Sequence, residues 1–290
     1  MPPLVASVLL LGVADSMIGP YLVLFGVDEA RLSPLQVGVF VSVIAVSGLA
    51  LSTWLGRRYD RSASRGPAFV AVAAPAVGYL TLTATTNYAL LLLIAAAFLG
   101  AGMAAFPQLF TLARTHLDRS AGNSGRATTA LRSVWSLAWA IGPMVGAAVL
   151  AWQGYRGLMV VTAVVFALVA LPVLWLGATP ATPPLPAEAA EPGTMWTRPI
   201  LLAAASFTLF HTAMLAGSVA LPLYVTDTLE RPDSDVGLLF SVCALVEIPA
   251  ALGLILLPAR VPKARVILAG MLLFVAYFGL VAVSSSLPLL

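Results

Sequence analysis

Four ionisable side chains stand inside long apolar runs where charge is otherwise scarce: Asp15, Arg132, His211 and Glu247. A charge at the centre of a bilayer-spanning helix costs roughly 2.5–3.5 kcal/mol on insertion scales, so each needs a reason to be there. For Asp15 and Glu247 the available chemistry is proton exchange, since a carboxyl in apolar surroundings loads and releases a proton near neutral pH. The competing reading is a hydrogen bond that only holds two helices together. His211 carries the same two readings. Arg132, about one turn inside its run, either faces an internal cavity or sends its long stem back to the surface. Trp135, Ser136, Trp139, Pro143 and Gly146 recur with Arg132 at helical spacing and share one face. An indole stacks on the apolar face of a sugar ring or another flat ligand while its N–H donates a hydrogen bond; lipid contact or packing is the alternative. Pro249 follows Glu247 closely, and a proline frees a carbonyl that helps a buried acid find polar company.

The elements that must hold these residues follow from composition. The chain has 290 residues, of which 60% are hydrophobic and 9% charged, with a mean hydropathy of +0.99. Ordinary soluble domains are about 25% charged, so the fold expected is an all-α integral membrane protein. Its one cysteine, Cys243, lies in an apolar run, which leaves no disulfide framework. The start, Met1-Pro2-Pro3, lacks the basic region of a signal peptide, so the first apolar run is expected to remain as a span.

Runs long enough to cross a bilayer fall at roughly 4–27, 33–55, 67–85, 88–113, 128–151, 156–177, 199–225, 235–257 and 266–284. With the N-terminus cytoplasmic, the inner connections hold Arg57, Arg58, Arg61, Arg65, Arg114, Arg119, Arg126, Arg198, Arg260, Lys263 and Arg265. The outer ones hold only Arg31, Arg156 and Arg231, and the outer loop Asp227 to Asp235 is net acidic. Basic residues favour the cytoplasmic side, so the sequence pI near 9.3 reports topology and not nucleic-acid binding. The basic stretch Gly56 to Arg65 reads as a tight loop between spans two and three.

Residues 179–198 are rich in proline and alanine and read as a cytoplasmic linker. The expected division is a six-helix bundle over 1–178, the linker over 179–198, and about three helices of a second bundle over 199–290. An internal repeat agrees with it. Val37-Gly38-Val39-Phe40-Val41-Ser42 opens the second span, and Val236-Gly237-Leu238-Leu239-Phe240-Ser241 opens the eighth, 199 residues later. Parallel six-helix repeats are an arrangement of secondary transporters.

The spacing Gly56-x-x-x-Asp60-Arg61-x-x-x-Arg65 resembles the loop between helices two and three of the major facilitator superfamily. Gly142-Pro143-Met144-Val145-Gly146 resembles the fifth-helix antiporter motif of that superfamily, with Ala138 where its leading glycine is usual. Within the superfamily, Phe106-Pro107-Gln108-Leu109-Phe110-Thr111-Leu112-Ala113-Arg114, Ser136 to Pro143 and Leu245-Val246-Glu247-Ile248-Pro249-Ala250 are similar to the bacterial sugar efflux transporters. The resemblance covers the first nine of twelve helices, so the chain is expected to be cut short. It implies a monomeric carrier in the cell membrane that exports sugars or glycosides by exchange with protons, through alternating access. Asp15, Gln108, Arg132, Trp135, Trp139, His211 and Glu247 are the expected substrate and proton pathway. Gly56, Asp60, Arg61, Arg65, Gly142, Pro143 and Gly146 are the expected conformational motifs. A multidrug exporter is the alternative within the superfamily, and a truncated, non-transporting membrane protein the alternative outside it.

Other classes lack their residues. There is no Gly-x-x-x-x-Gly-Lys-Ser/Thr loop for ATP, no His/Glu pair at metal-ligand spacing, and no readable nucleophile, base and orienter. The expectation is therefore a protein that is not an enzyme, with no cofactor, no metal and no nucleic-acid partner.

Overall fold

The computed structural model describes residues 2–62, 64–112, 124–175, 197–255 and 260–284. Among them the chain forms nine helical rods and no strand, as the composition requires. The helices are α1 (Pro2–Asp28), α2 (Pro34–Ser62), α3 (Gly66–Leu82), α4 (Tyr88–Leu112), α5 (Ser124–Trp175), α6 (Arg198–Thr228), α7 (Asp233–Ile255) and α8 (Lys263–Val283). Six of the described helices are long and apolar enough to cross a membrane. α5 is two rods, 124–153 and 155–175, joined at Gly154, whose φ of 67° lies in the left-handed region that favours glycine. The linker expected over 179–198 lies outside the described residues except for Thr197 and Arg198, and so do Arg114, Arg119 and the Arg132 side chain.

Local chemistry sets the ends. Ser33 and Gln36 close a reciprocal capping box before α2: the Ser33 N–H donates to Gln36 Oε1 at 2.8 Å, and the Gln36 N–H to Ser33 Oγ at 3.4 Å. Asn87 caps α4 by accepting from the Ala89 and Leu90 N–H groups. The basic stretch corrects an expectation. Gly56 to Ser62 is helix, the last turns of α2, and not a loop. Arginine is a good helix former, cations suit a helix C-terminus, and Arg58 lies 5.9 Å over the Trp54 ring one turn back.

α1 is the hub. It packs along the first arm of α5 and also touches α2, α6 and α7, while α3 packs on α5 and α2 on α4. The α1–α5 seam is made of small residues, the usual device where lipid tails remove a hydrophobic drive between helices. A Cβ added at Gly142 would strike Ser16, and one at Gly146 would strike the Met17 carbonyl and Tyr21. Ser16 Oγ donates to the Gly12 carbonyl at 2.6 Å and lies 3.2 Å from that of Ala138. Ala138 itself faces Gly12, so alanine is admitted on α5 because α1 supplies the missing volume.

The 199-residue repeat is written in the backbone. Arg31 and Glu230, at that offset, are the two non-glycine residues with positive φ among the described ones, at 54° and 51°. Ala30 N–H bonds the Phe25 carbonyl as Leu229 N–H bonds that of Tyr224, and Leu32 N–H bonds the Gly26 carbonyl as Arg231 N–H bonds that of Val225. The first and seventh spans thus end in the same cap.

Candidate functional site

From Ser7 to Val27 on α1, Asp15 and Gly19 are the exposed residues, and all others are buried or half-buried. Four residues apart, the two share one face. Nothing lies within 4 Å of where a Cβ on Gly19 would be. The hub helix therefore has one open window at mid-length, and an acid stands in it. Tyr79 of α3 is buried, and its ring stacks on Phe166 of the second arm of α5, with centroids 5.8 Å apart.

An aromatic wall stands between α4 and α5. Phe106 meets Trp135 at 4.3 Å between centroids, Trp135 meets Trp139 at 6.5 Å, and Phe106 meets Phe110 at 5.3 Å. The Trp135 ring also closes on Gly12 of α1. Gln108 is buried, and its Oε1 accepts no hydrogen bond; the buried Nε1–H of Trp139 has no acceptor. An unmade buried hydrogen bond costs about 1–3 kcal/mol, so such groups mark places that a water or ligand completes.

Gly142, Pro143 and Gly146 hold the α1–α5 seam, and the Tyr21 hydroxyl donates to the Pro143 carbonyl at 3.1 Å. Gly237 of α7 fits into the same junction: a Cβ there would meet Tyr21, the Pro143 carbonyl and Ala147. Asp233 of α7 meets Tyr155, and Gly237 meets Pro143 and Ala147, so α7 runs antiparallel to the first arm of α5. One further turn down α7 is Ser241. Ser241 is fully buried, and its hydroxyl has no partner. Sequence reading missed it, because one serine in an apolar run carries no signal until Gly237 fixes the register.

His211 and Glu247 are placed differently. His211 is half-buried among aromatics of α6, its Nδ1 2.9 Å from the Phe207 carbonyl and its ring stacked on Phe207 at 4.3 Å. The aromatic packing continues through Phe210 to Phe274 and Phe278 of α8. Glu247 is exposed on α7, beyond the part of that helix that meets α5. The structure does not bring these two together with the aromatic wall. Asp60 and Arg61 are exposed near the end of α2, and nothing lies within 4 Å of a Cβ at Gly56. At the start of α3, the Arg65 Nη1 donates to the Leu174 carbonyl near the end of the neighbouring α5.

A second group that sequence reading missed lies at the opposite end of the bundle. The Tyr155 hydroxyl is 2.7 Å from Asp28 Oδ2 and 2.8 Å from Asp233 Oδ2. Its members come from the end of α1, the bend of α5 and the start of α7, and only the fold assembles them.

The pattern of the Major Facilitator Superfamily matches residues 4–290. A Deinococcus radiodurans protein named for sugar efflux is 38% identical over 99% of the chain and 76% of its own length. Sugar efflux transporter A of Dickeya chrysanthemi is 31% identical over the whole chain and 76% of its own length. Sugar efflux transporter A of Escherichia coli is 30% identical over 83% of the chain and 62% of its own length. With a multi-pass bundle built round a small-residue seam, the chain belongs to the Major Facilitator Superfamily of membrane transporters, in its sugar efflux transporter branch.

Proposed function

We propose that the protein exports small sugars or glycosides from the cell in exchange for protons, by alternating access across the cytoplasmic membrane. The N-terminus and the Arg57–Arg65 end face the cytoplasm. The working parts are the six-helix bundle of residues 1–178, the linker over 179–198 and the helices of 199–290, and the repeated caps at Arg31 and Glu230 support that division. The cargo-side observation that carries the reading is that the two helices of the aromatic wall each hold a buried polar group without a partner, Gln108 on α4 and Trp139 on α5. Gln108 Oε1 is an acceptor and Trp139 Nε1–H a donor, and a sugar ring offers hydroxyls to both and an apolar face to Trp135. Asp15, in its window on α1, takes the proton; Glu247 is a second carrier, and Arg132 and His211 complete the proposed pathway.

The test is uptake of radiolabelled sugars into everted vesicles holding the chain, with an imposed pH gradient. Asp15→Asn and Glu247→Gln keep the side-chain shape and most hydrogen bonding but release no proton. Each is expected to abolish gradient-driven accumulation while leaving sugar binding within about threefold, roughly 0.7 kcal/mol. Accumulation at the wild-type rate in either variant removes that residue from the mechanism. Retention in both removes proton coupling through them.

One observation favours a second cargo class. Between α6 and α8 lies an apolar groove of 530 Å³ lined by Phe207, Phe210, Met271 and Phe274, within the usual range for drug-sized ligands. Export of a flat hydrophobic dye that Phe210→Ala reduces, with no sugar uptake, would establish the multidrug reading instead.

A further inference from the structure

We propose that the Asp28–Tyr155–Asp233 contact is a latch that closes one end of the transporter only when it captures a proton. The inference rests on the alternating-access reading and adds to it a coupling element far from the cargo wall.

The latch spans the two parts of the molecule. Asp28 ends α1 and Tyr155 follows the bend at Gly154, while Asp233 opens α7. The parts meet at this end and separate toward the other. On α7, Val236, Gly237, Leu239 and Ser241 are buried, whereas Val242 onward is mostly exposed. On α6 the burial falls at Gly217, Pro222 and Val225, and Leu201 to Leu209 are exposed. The Gly237 junction and the latch are thus two successive contacts of one closed end. The Tyr155 ring also rests against Phe25, with centroids 6.1 Å apart, which holds its hydroxyl in place.

The hydrogen-bond count requires the proton. A phenol has one O–H to donate, and an ionised carboxylate only accepts. With Asp28 Oδ2 at 2.7 Å and Asp233 Oδ2 at 2.8 Å from the same oxygen, one carboxyl must itself be protonated and donate to it. The helices decide which. Asp233 stands in the first turn of α7, where the helix dipole favours an anion, and Asp28 at the last turn of α1, where it disfavours one. In the proposed latch the Asp28 carboxyl donates to the Tyr155 oxygen, and the Tyr155 O–H donates to Asp233. Neighbouring charges do not supply the missing positive charge in full. Arg31 acts on Asp28 from the turn after α1, but Asp227 adds a further negative charge from the end of α6. Arg231 is paired with Asp235 at 2.7 Å. Glu29 and Arg156, of opposite sign, line the crevice beside Tyr155. Loss of the proton leaves two facing carboxylates on one hydroxyl and drives the end open.

The test is an inter-label distance. Spin labels are placed by Leu35→Cys at the start of α2 and Thr228→Cys at the end of α6, both exposed, in a Cys243→Ser background of the 290-residue chain in lipid nanodiscs, without cargo. As the pH is lowered from about 8 to about 5, the closed population is expected to rise, since burial raises the Asp28 carboxyl above its ordinary value. Asp28→Asn donates to Tyr155 at every pH, so it should stay closed throughout. Asp233→Asn removes one of the two charges and should also lose the pH response. Tyr155→Phe should lower the closed-to-open ratio about tenfold at low pH, the loss of a charge-assisted hydrogen bond. Intrinsic tryptophan fluorescence on heating checks that each variant is folded. A wild-type distance indifferent to pH overturns the latch, as does a wild-type pH response surviving in Asp28→Asn. Because no cargo or transport is read, failure of sugar export leaves this result standing, and failure of the latch leaves export standing.

Discussion

α1 and the α6–α8 pair are comparably apolar and are packed in opposite ways. Of the most apolar window of α1, 67% is buried inside the protein; for α6 the share is 6% and for α8 none. Hydropathy reports what a helix tolerates outside, not what it touches. What separates the parts is the placement of small residues. Gly12, Ser16, Gly142 and Gly146 bring α1 and α5 to backbone contact, whereas α6 and α8 meet through large rings, Phe210 on Phe274 and Gly217 under Phe278. Close approach lets many weak contacts act together and gives one packing solution. Ring-to-ring contact leaves room, seen as the groove beside Phe210.

Breaking the seam should therefore have the largest effect. In Gly146→Ala the new methyl meets the Met17 carbonyl, which belongs to a helix backbone and cannot turn aside. The expected loss is about 3 kcal/mol in reversible unfolding from mixed micelles, followed by tryptophan fluorescence. Gly270→Ala on α8 meets nothing within 4 Å, so it should be neutral or gain up to about 1 kcal/mol through helix propensity. Equal losses at the two glycines would show that the contrast in packing does not control stability.

Core rings sharpen the same contrast. Phe166 is 2% exposed and stacks on Tyr79, while Phe274 lies along the open groove. Lipid tails replace a core environment better than water does, so the transfer part of the usual truncation cost falls away and the cavity part remains. Phe166→Ala is expected to cost about 2 kcal/mol and Phe274→Ala under about 1 kcal/mol. A larger loss at Phe274 would mean that the α6–α8 face is more tightly held than its groove suggests.

The sequence made the bundle legible because its signals are local. Apolar runs, the Ser33–Gln36 and Asn87 caps and the 199-residue repeat each need only neighbours in the chain. The bend at Gly154 fell where the gap between spans five and six was expected. The arginines at the end of α2 look like a loop because charge in an apolar chain marks its connections, yet Arg58 stacks on Trp54 one turn back and so extends the helix. In the candidate site, the aromatic face of α5 followed from periodicity. Asp28, Tyr155, Asp233 and Ser241 did not, because none is unusual in its own segment. Their meaning depends on the register of α7 against α5, which Gly237 sets through a contact with residues about ninety positions earlier.

The smallest expected effect concerns how each bundle is closed. Arg65 ties the start of α3 to the end of α5 through the Leu174 carbonyl, one of the terminal carbonyls that the helix cannot satisfy itself. At the repeat offset of 199 stands Ala264, whose side chain has no donor for such a stitch. Arg65→Gln should cost about 1 kcal/mol, since a charged donor is lost and a shorter one cannot span the gap. Arg61→Gln, at an exposed site on the last turn of α2, should cost only a few tenths, roughly the worth of a cation near a helix C-terminus. Ala264→Arg is the complementary test. Among the described residues no helix end stands in the second part at the place that the end of α5 holds in the first, so it should leave the unfolding midpoint within error. If it instead stabilises the chain as much as Arg65 does, the two parts are closed by the same chemistry, and the difference between them lies in the small-residue seam alone.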